Sequence, residues 1–239
     1  MIGPIPDSEK VEVDTLCRLS LLKNYNRHIY KQIEPFLGNH VLEIGCGNGN
    51  ITAFLMTRRS VIALDKSELK LKLLSQRFPR QDNLKIIRHD IEQLPFLDIN
   101  PPPDTIICLN VLEHIRDEDR AMRHIAELLT DKAKCILLLP AQKAYFSPMD
   151  KVLGHFRRYD ADDVKLLVAQ SGLKVEKLVY LNFLPGLGWW FNFVFLKREK
   201  FLRKQLLFLD KLVFLIQPAD TLFRRFGLNI LTVCCKPGA

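Results

Sequence analysis

The sequence predicts a doubly wound α/β fold with a helical insertion near its end. Short apolar runs alternate with amphipathic stretches from residue 38 to about 183, a rhythm typical of strands and helices that build a parallel sheet. Several runs are apolar at consecutive positions, as expected of strands covered by helices on both faces. Residues 183–227 break the rhythm before a last apolar run at 228–236. The chain of 239 residues can bury a sizeable core, and we expect one domain over 1–239.

Local sequence patterns predict the individual helices and strands. Residues 1–37 form an N-terminal helical region, because apolar positions recur at helical spacing over 11–37 and end at Gly38. The helix predicted before the insert, ADDVKLLVAQSG, has acidic residues in its first turn and a glycine at its end, as helix ends favour. The strands are HVLEIGCG, SVIALD, LKIIRHD, DTIICLN, KCILLLPA, LKVEKLVYLNF and LNILTVCCKP, and the other helices are ITAFLMTRR, SELKLKLLSQRF and VLEHIRDEDRAMRHIAELL.

The composition excludes wholesale disorder and narrows the location of the protein. Apolar residues make up 48% of the chain and charged residues 26%, as in ordinary globular proteins. Residues 183–227 contain eight basic and three acidic residues, so this segment carries +5 of the chain's net charge of +8. The six cysteines show no ligand spacing, and four of them, Cys108, Cys135, Cys234 and Cys235, fall in apolar runs, which favours small buried residues in a reducing compartment over metal ligands or disulfides. Since no secretory signal or run of about 20 apolar residues occurs, we expect a cytoplasmic protein.

A glycine-rich loop follows the first predicted strand. Gly45, Gly47 and Gly49 alternate with other residues between this strand and the next helix, so that a ligand can approach the backbone near the positive end of the helix. The dinucleotide fingerprint requires a small residue where Asn50 stands, and no phosphate-binding Gly-Lys-Ser/Thr follows. The loop therefore predicts a ligand site of another kind.

Three carboxylates end three successive strands. Glu43, Asp65 and Asp90 stand at the carboxyl tips of strands one to three, which share the ligand-binding edge of such a sheet. Asp65 would accept hydrogen bonds from a ribose diol, Asp90 from an adenine amine, and Glu43 would face an ammonium or act through water. Each also has a structural explanation, since Asp65 would equally cap the helix that starts at Ser67.

These motifs together resemble those of the class I S-adenosylmethionine-dependent methyltransferases over residues 38–140. The segment Glu43-x-Gly45-x-Gly47-x-Gly49 is similar to the family's first motif, and the segment Asn110-Val111-Leu112-Glu113-His114 is similar to the one after strand four. The resemblance implies S-adenosyl-L-methionine as cofactor and an antiparallel final strand between strands five and six of a Rossmann-like seven-stranded sheet. It implies that the cofactor is bound by Glu43, Gly45, Cys46, Gly47, Gly49, Asp65, Lys66, Asp90, Ile91, Asn110, Val111 and His114.

The chemistry implied by the family is an in-line displacement at a labile methyl group. Placing the nucleophile about 3 Å from the methyl group supplies most of the rate in such a reaction, and hydroxyl or amine acceptors also need a base. Nothing in the sequence requires a metal. The sequence Asn100-Pro101-Pro102-Pro103 precedes strand four, so it is interpreted as a rigid loop and not as a nucleobase-methylating motif.

A second block after strand five would meet the acceptor. Residues 147–159 resemble a segment of the form S-x-x-D-x-x-x-G-H-x-R-R-Y, found in a branch of bacterial methyltransferases associated with cell-envelope glycan and lipid pathways. His155 is the first choice for a base because its ordinary pKa suits the task. A structured loop in which Asp150 pairs with an arginine and Tyr159 packs is an equal alternative. The predicted catalytic residues are His155, Asp150 and Tyr159, and the predicted substrate-binding residues are Tyr145, Arg157, Arg158, Trp189 and Trp190.

The insert, residues 183–227, is rich in aromatic and basic residues. Tryptophans beside lysines and arginines suit the headgroup boundary of a membrane, so the insert predicts a lipid surface or an apolar wall for the acceptor. A helical hairpin that packs on the core or forms a homodimer would use the same aromatics. Nucleic acid is disfavoured because the aromatics form one apolar run. Residues 199–216 predict an amphipathic helix that Pro218 ends.

The sequence thus predicts methyl transfer from S-adenosylmethionine to oxygen or nitrogen of a small or lipid-linked acceptor, at the inner face of the membrane. One alternative is a soluble natural-product or quinone-type methyltransferase whose insert is a dimer interface. Another is a protein that binds the cofactor without turnover and serves as partner of a membrane glycosyltransferase.

Overall fold

The protein folds around a seven-stranded mixed sheet. The computed structural model describes residues 7–96, 99–200 and 203–238. Strand order is β3-β2-β1-β4-β5-β7-β6, and β7 runs antiparallel to both of its neighbours, which confirms the predicted α/β sheet. The strands are β1 (His40–Ile44), β2 (Ser60–Asp65), β3 (Leu84–Arg88), β4 (Thr105–Leu109), β5 (Lys134–Pro140), β6 (Lys174–Leu181) and β7 (Asn229–Cys235).

Helices cover the sheet and fill the connections between strands. Strand order reverses between β1 and β4, and the crevice at that reversal is where such folds bind ligands. The helices are α1 (Asp7–Leu19), α2 (Lys23–Ile33), α3 (Thr52–Leu55), α4 (Glu68–Arg77), α5 (Glu118–Leu128), α6 (Pro148–Val152), α7 (Ala161–Gln170), α8 (Phe183–Trp189), α9 (Arg203–Lys211) and α10 (Ile216–Leu222).

Apolar side chains are buried on both faces of the sheet. Along β1, Val41 packs into one core cluster while Leu42 and Ile44 pack into the other, because successive side chains of a strand point to opposite faces. The cysteines of β4, β5 and β7 are free thiols buried in this core, as the sequence predicted. Consecutive apolar residues were therefore a correct signal for strands enclosed on both sides.

Two helices differ from the sequence prediction. The stretch 111–129 was expected to be one helix, but Leu112–His114 form a single 3-10 turn and α5 begins only at Glu118. Asp117 stops the continuity because its side chain accepts the backbone N–H of Arg120 and caps α5. The helix predicted over 199–216 corresponds to α9, which already ends at Lys211, so Pro218 does not end it. This proline lies in the first turn of α10, where its missing N–H has no intrahelical partner to lose.

The insert between β6 and β7 is joined to the N-terminal helices and to the sheet by two aspartates. Asp210 of α9 accepts the backbone N–H of Tyr25 at 2.9 Å, at the start of α2. Asp220 of α10 accepts the N–H groups of Asn182 and Phe183 at 2.9 and 2.7 Å, where α8 begins. Both aspartates are buried. They therefore supply to two helix starts the acceptors that those starts otherwise lack.

The outer surface of the insert is apolar and basic. Of the sixteen large apolar side chains that are exposed among the described residues, thirteen lie in 183–227. Within the described ranges no helix is both long and apolar enough to cross a membrane. Phe201 and Leu202, which the sequence analysis counted in the insert, lie outside the described residues. The exposed apolar residues of the insert are Leu187, Trp190, Phe191, Phe195, Leu196, Leu207, Phe208, Leu209, Phe214, Leu215, Leu222, Phe223 and Phe226.

Candidate active site

The glycine loop lies at the carboxyl end of β1, where its backbone turns away from the sheet. Gly45, Gly47 and Gly49 all have positive φ, at 72°, 55° and 84°, a region that side chains disfavour. A Cβ at Gly45 would lie 2.2 Å from a methyl of Val111. The loop therefore requires glycine both for its conformation and for its close approach to the tip of β4.

Asp65 connects the tip of β2 to the glycine loop. One carboxylate oxygen accepts the N–H of Gly47 at 3.0 Å, and the other accepts the N–H of Ser67 at 2.9 Å. The helix cap that the sequence analysis considered for Asp65 belongs to Ser67, whose hydroxyl accepts the N–H of Lys70. A carboxylate has about four acceptor positions, so two of them remain for the hydroxyls of a ribose.

Glu43 is buried beneath the loop and is held by one hydroxyl. Thr52 donates its hydroxyl to Glu43 at 2.6 Å. Burial raises the pKa of Glu43 to about 8, although the Thr52 hydrogen bond favours the ionised form and lowers it in part. A cation bound in the cavity beside Glu43 would restore its charge, which fits the ammonium or sulfonium end of the predicted cofactor.

Four further residues predicted to bind the cofactor, at the tips of β2 and β3 and in the glycine loop, line the cavity beside Glu43 and Asp65. Asp90 is half-buried and uses one carboxylate oxygen to accept the N–H of Glu92 at 3.1 Å, and Ile91 beside it is buried. Cys46 is buried in the loop, while Lys66 is exposed at the tip of β2. All four line one cavity together with the glycine loop.

The tip of β4 contributes a strained asparagine and the 3-10 turn that follows it. Asn110 has a φ of 54° and accepts a hydrogen bond from Asn229 of β7 at 3.3 Å. Glu113 is fully buried, and neither of its carboxylate oxygens has a hydrogen-bond partner among the described residues. Burial raises the pKa of Glu113 to about 7 and lowers that of His114 to about 3.

The segment after β5 forms a buried network around Asp150. One carboxylate oxygen of Asp150 accepts hydrogen bonds from His155 Nδ1 at 2.9 Å and Arg158 Nε at 2.8 Å. The other accepts both the backbone N–H and the hydroxyl of Ser147, each at 2.8 Å. Burial alone would raise the pKa of Asp150, but the His155 bond, the Arg158 charge and the Ser147 bond hold it below its ordinary value. Asp150 therefore orients His155.

Trp189 connects this network to the insert. The guanidinium of Arg158 lies 4.4 Å from the centre of the Trp189 ring, a cation–π distance. The indole N–H of Trp189 donates to the carbonyl oxygen of Tyr145 at 3.1 Å. Trp189 is buried and lines the cavity, while Trp190 is 44% exposed and does not. The two neighbouring tryptophans thus have different environments.

Tyr159 and Arg157 do not line the cavity, in contrast to their predicted roles. The hydroxyl of Tyr159 donates to Glu118 at the start of α5, and burial beside that carboxylate raises the pKa of Tyr159. Arg157 pairs with the same Glu118 at 2.9 Å and donates to the carbonyl oxygen of Arg116. The packed position of Tyr159 corresponds to the structural alternative that the sequence left open.

A cavity of about 750 Å³ lies between the strand tips, the first two helices and the insert, within the size range of small-molecule sites. One part is lined by the glycine loop and the acidic strand tips, and another by apolar side chains of α1, α2 and the insert. The cluster of Glu113, His114 and His155 also lines it. The apolar wall consists of Leu16, Leu19, Leu22, Ile29, Leu184, Trp189, Phe193, Leu206, Phe208, Leu209, Leu212, Val213, Ile216 and Leu228.

Comparison with known proteins identifies the family. Residues 42–135 match the model of a methyltransferase domain. A protein of Azorhizobium caulinodans, nodulation protein S, is 31% identical over 150 residues, which cover 61% of this chain and 67% of the relative. The chain belongs to the class I S-adenosylmethionine-dependent methyltransferases. A mycobacterial protein named a probable S-adenosylmethionine-dependent methyltransferase (Mycobacterium tuberculosis) is 26% identical over 159 residues. These cover 63% of this chain and 56% of the relative, so the match spans little more than half of that protein.

Solved structures share the methyltransferase fold at low sequence identity. A methyltransferase of Clostridium acetobutylicum has a TM-score of 0.59 at 16% identity, over 90% of this chain and 92% of the other. The magnesium protoporphyrin IX methyltransferase of Synechocystis, solved with bound cofactor, has a TM-score of 0.54 at 15% identity, over 99% and 87%.

The residues of this methyltransferase fit its family's cofactor. The glycine loop leaves its backbone open, Asp65 keeps acceptor positions for a ribose, and buried Glu43 lines the cavity where a bound cation would favour its ionised form. Glu113 lies in the motif after strand four but was not among the residues predicted for the site. Its signal was present only as a carboxylate in an otherwise apolar segment. No sequence motif indicates that α1 and α2 contribute to the cavity wall.

Proposed function

We propose that the protein transfers a methyl group from S-adenosylmethionine to an oxygen or nitrogen of an acceptor with an apolar, lipid-like body. The observation that carries this proposal is the single cavity, which joins the glycine loop and the carboxylates to an apolar wall built by the insert. The glycine loop and the acidic strand tips line one part of this cavity, and apolar side chains of α1, α2 and the insert line another. An acceptor with a polar head and a greasy body fits that division.

Each part of the chain has a defined task in this reaction. S-adenosylmethionine, when bound, would supply an electrophilic methyl group: the lone pair of the acceptor would form the new bond, the electrons of the broken carbon–sulfur bond would stay on sulfur, and the acceptor would lose its proton to solvent. The loop and Asp65 position the cofactor. Trp189 and the apolar wall exclude water and align the acceptor, and alignment of this kind supplies most of the rate. His155 presents Nε2 towards Glu113 at 4.0 Å, at the polar part of the cavity.

The outer surface of the insert supports a lipid source for the acceptor. Eleven exposed apolar side chains of the insert do not line the cavity and are interspersed with exposed basic residues, while two of the insert's three acids are buried in helix caps. Basic residues near an anionic leaflet contribute about 1 kcal/mol each, and exposed aromatic residues suit the interface. We therefore propose that the insert contacts the surface of an anionic membrane, with the acceptor drawn from it.

Cofactor binding tests the first step. Calorimetric titration with S-adenosylmethionine is expected to show one site, and Asp65→Ala is expected to weaken it at least about tenfold, since hydrogen bonds to charged groups contribute about 1.5–3 kcal/mol each. Asp131→Ala, on an exposed loop away from the cavity, is the control and should bind normally. Absence of binding, or equal binding by both variants, would contradict the proposal.

Vesicle sedimentation tests the lipid surface. The protein is expected to pellet with phosphatidylglycerol vesicles at low salt and much less with phosphatidylcholine. The double change Phe195→Ser and Phe214→Ser removes side chains that are 62% and 70% exposed and should release it. Leu166→Ser is the matched control, because Leu166 is 58% exposed outside the insert. A protein that stays in solution, or that dimerises through these phenylalanines in light scattering, would refute the membrane contact.

A further inference from the structure

Three side chains in the cavity are grouped as metal ligands are. Glu113 and His114 lie in the 3-10 turn after β4, and His155 lies after α6. One ligand atom from each can be chosen so that all lie within 4.8 Å of one another. Within the described ranges this is the only such group of three histidine, cysteine or acidic side chains. No spacing in the sequence indicates this group, since 41 positions separate His114 from His155.

The buried carboxylate of Glu113, unpaired among the described residues, independently points to a bound cation. The side chain is fully buried, and neither carboxylate oxygen receives a hydrogen bond from the described residues. Buried polar atoms without partners are rare in native proteins and costly. The closest ion-pair partner is Nε2 of His155 at 4.0 Å, beyond hydrogen-bonding distance, and the guanidinium of Arg158 is engaged by Asp150 and Ala141. A cation between these groups would satisfy the carboxylate.

His155 is oriented as metal-binding histidines usually are. Its Nδ1 is hydrogen-bonded to Asp150 at 2.9 Å, which leaves Nε2 with a free lone pair on the side of Glu113. Histidines that bind metals commonly donate their other ring N–H to a carboxylate. Asp150 itself is fixed by Ser147 and Arg158. The ring is therefore held in place before any ligand arrives.

We propose that Glu113, His114 and His155 bind a divalent first-row transition-metal ion, with Asp150 as the positioning residue for His155. Two nitrogens and one carboxylate oxygen suit Zn²⁺, Mn²⁺, Fe²⁺ or Co²⁺. Ligands around a tetrahedral ion lie about 3.4 Å apart, so Nε2 of His155 and Glu113 must approach by about half an ångström from their present 4.0 Å.

The ion would select the acceptor of the proposed methyl transfer, and in this sense the inference rests on that function. A metal with open positions towards the cavity binds an acceptor oxygen and lowers the pKa of its hydroxyl, so that the proton leaves to solvent before transfer. The substrate class is thus an alcohol or phenol, rather than an amine, on an apolar body. His155 then acts as a ligand instead of the free base that the sequence predicted.

The test measures metal binding on the full chain without cofactor. Protein treated with a chelator is titrated with Co²⁺, followed by visible absorption, and with Zn²⁺ in competition with a chromophoric chelator. One equivalent is expected to bind. Glu113→Gln, which keeps the shape, and His155→Ala should each weaken binding more than about 100-fold, and Asp150→Asn should weaken it about 10–100-fold, as loss of such supporting groups does. His40→Gln, at the opposite end of β1, is the control for non-specific histidine binding.

The outcomes separate this inference from the proposed function. Absence of a bound equivalent, binding unchanged in the folded Glu113 and His155 variants, or an equal loss in His40→Gln would overturn the metal site. Circular dichroism establishes that each variant is folded. If S-adenosylmethionine binds but the metal does not, the methyltransferase proposal stands and the metal site is refuted. If the metal binds but the cofactor does not, the metal site stands and the methyltransferase proposal fails.

Discussion

Glu43 offers a prediction whose sign is unusual, because replacing a buried acid is expected to stabilise the protein. Burial raises its pKa from 4.5 to about 8, so the folded protein binds a proton that the unfolded chain releases above pH ~4.5. A group with a raised folded-state pKa contributes stability that is fully present below the unfolded pKa and is lost as pH rises through the folded pKa. The contribution of Glu43 to the free energy of unfolding therefore decreases as the pH rises from about 4.5 to about 8.

The size of the effect follows from the two pKa values. Each tenfold change in proton affinity corresponds to about 1.4 kcal/mol, so the loss reaches about 4 kcal/mol near pH 8. Glutamine is neutral at every pH, and its carbonyl oxygen can accept the hydroxyl of Thr52 as Glu43 does. Glu43→Gln is therefore expected to match the wild type near pH 4.5 and to exceed its stability by several kcal/mol at pH 8.

Urea unfolding of the protein without cofactor, followed from pH 4.5 to 8.5, measures the difference directly. Glu127→Gln, on the exposed face of α5, controls for the loss of one negative charge. The reasoning would be refuted if the wild-type and Glu43→Gln curves ran parallel over this range. It would equally fail if Glu127→Gln reproduced the gain at pH 8.

Further predictions concern the backbone and the insert, each measured by urea unfolding. Gly45→Ala should lower the free energy of unfolding by more than about 2 kcal/mol, since it adds a clash with Val111 to the strain of a positive φ. The control, Gly172→Ala, has a positive φ but open space and should lower it by only about 1 kcal/mol. Equal losses in the two variants would disprove the clash. Asp220→Ala removes the acceptor of two backbone N–H groups and should cost about 2–4 kcal/mol. Asp210→Ala, at the start of α2, should cost about 0.5–2 kcal/mol, and no loss in either variant would contradict the capping role.

The sheet and the glycine loop could be predicted because both depend on local patterns. Consecutive apolar residues identified strands buried on two faces, and Gly45 had to be glycine for its φ and its contact with Val111. Asp65 was placed correctly at the tip of β2, yet its bond to Gly47 joins residues of two strands. That bond depends on the pairing of the strands, which the order of residues alone does not specify.

The acceptor side could be predicted only in outline, because its contacts join distant parts of the chain. The motif at 147–159 correctly indicated a group of polar residues, but nothing in it distinguishes Arg158, buried against Asp150, from Arg157, which pairs with Glu118. Likewise Trp189 and Trp190 are equivalent in composition and differ in environment. Neighbouring residues of a helix or extended segment point in different directions, so their roles depend on what packs on each side.

The two buried aspartates of the insert connect the cavity to the outer surface. Asp210 and Asp220 fix the starts of α2 and α8, and both elements contribute to the cavity wall. Using these acids inside leaves Glu199 as the insert's remaining acid, among many basic residues outside. The two buried aspartates therefore hold the apolar wall in place, and their burial leaves the exterior of the insert basic. Asp210→Ala or Asp220→Ala would loosen the wall but would also remove one negative charge from the insert, so acceptor selection is expected to weaken while attraction to an anionic membrane is retained.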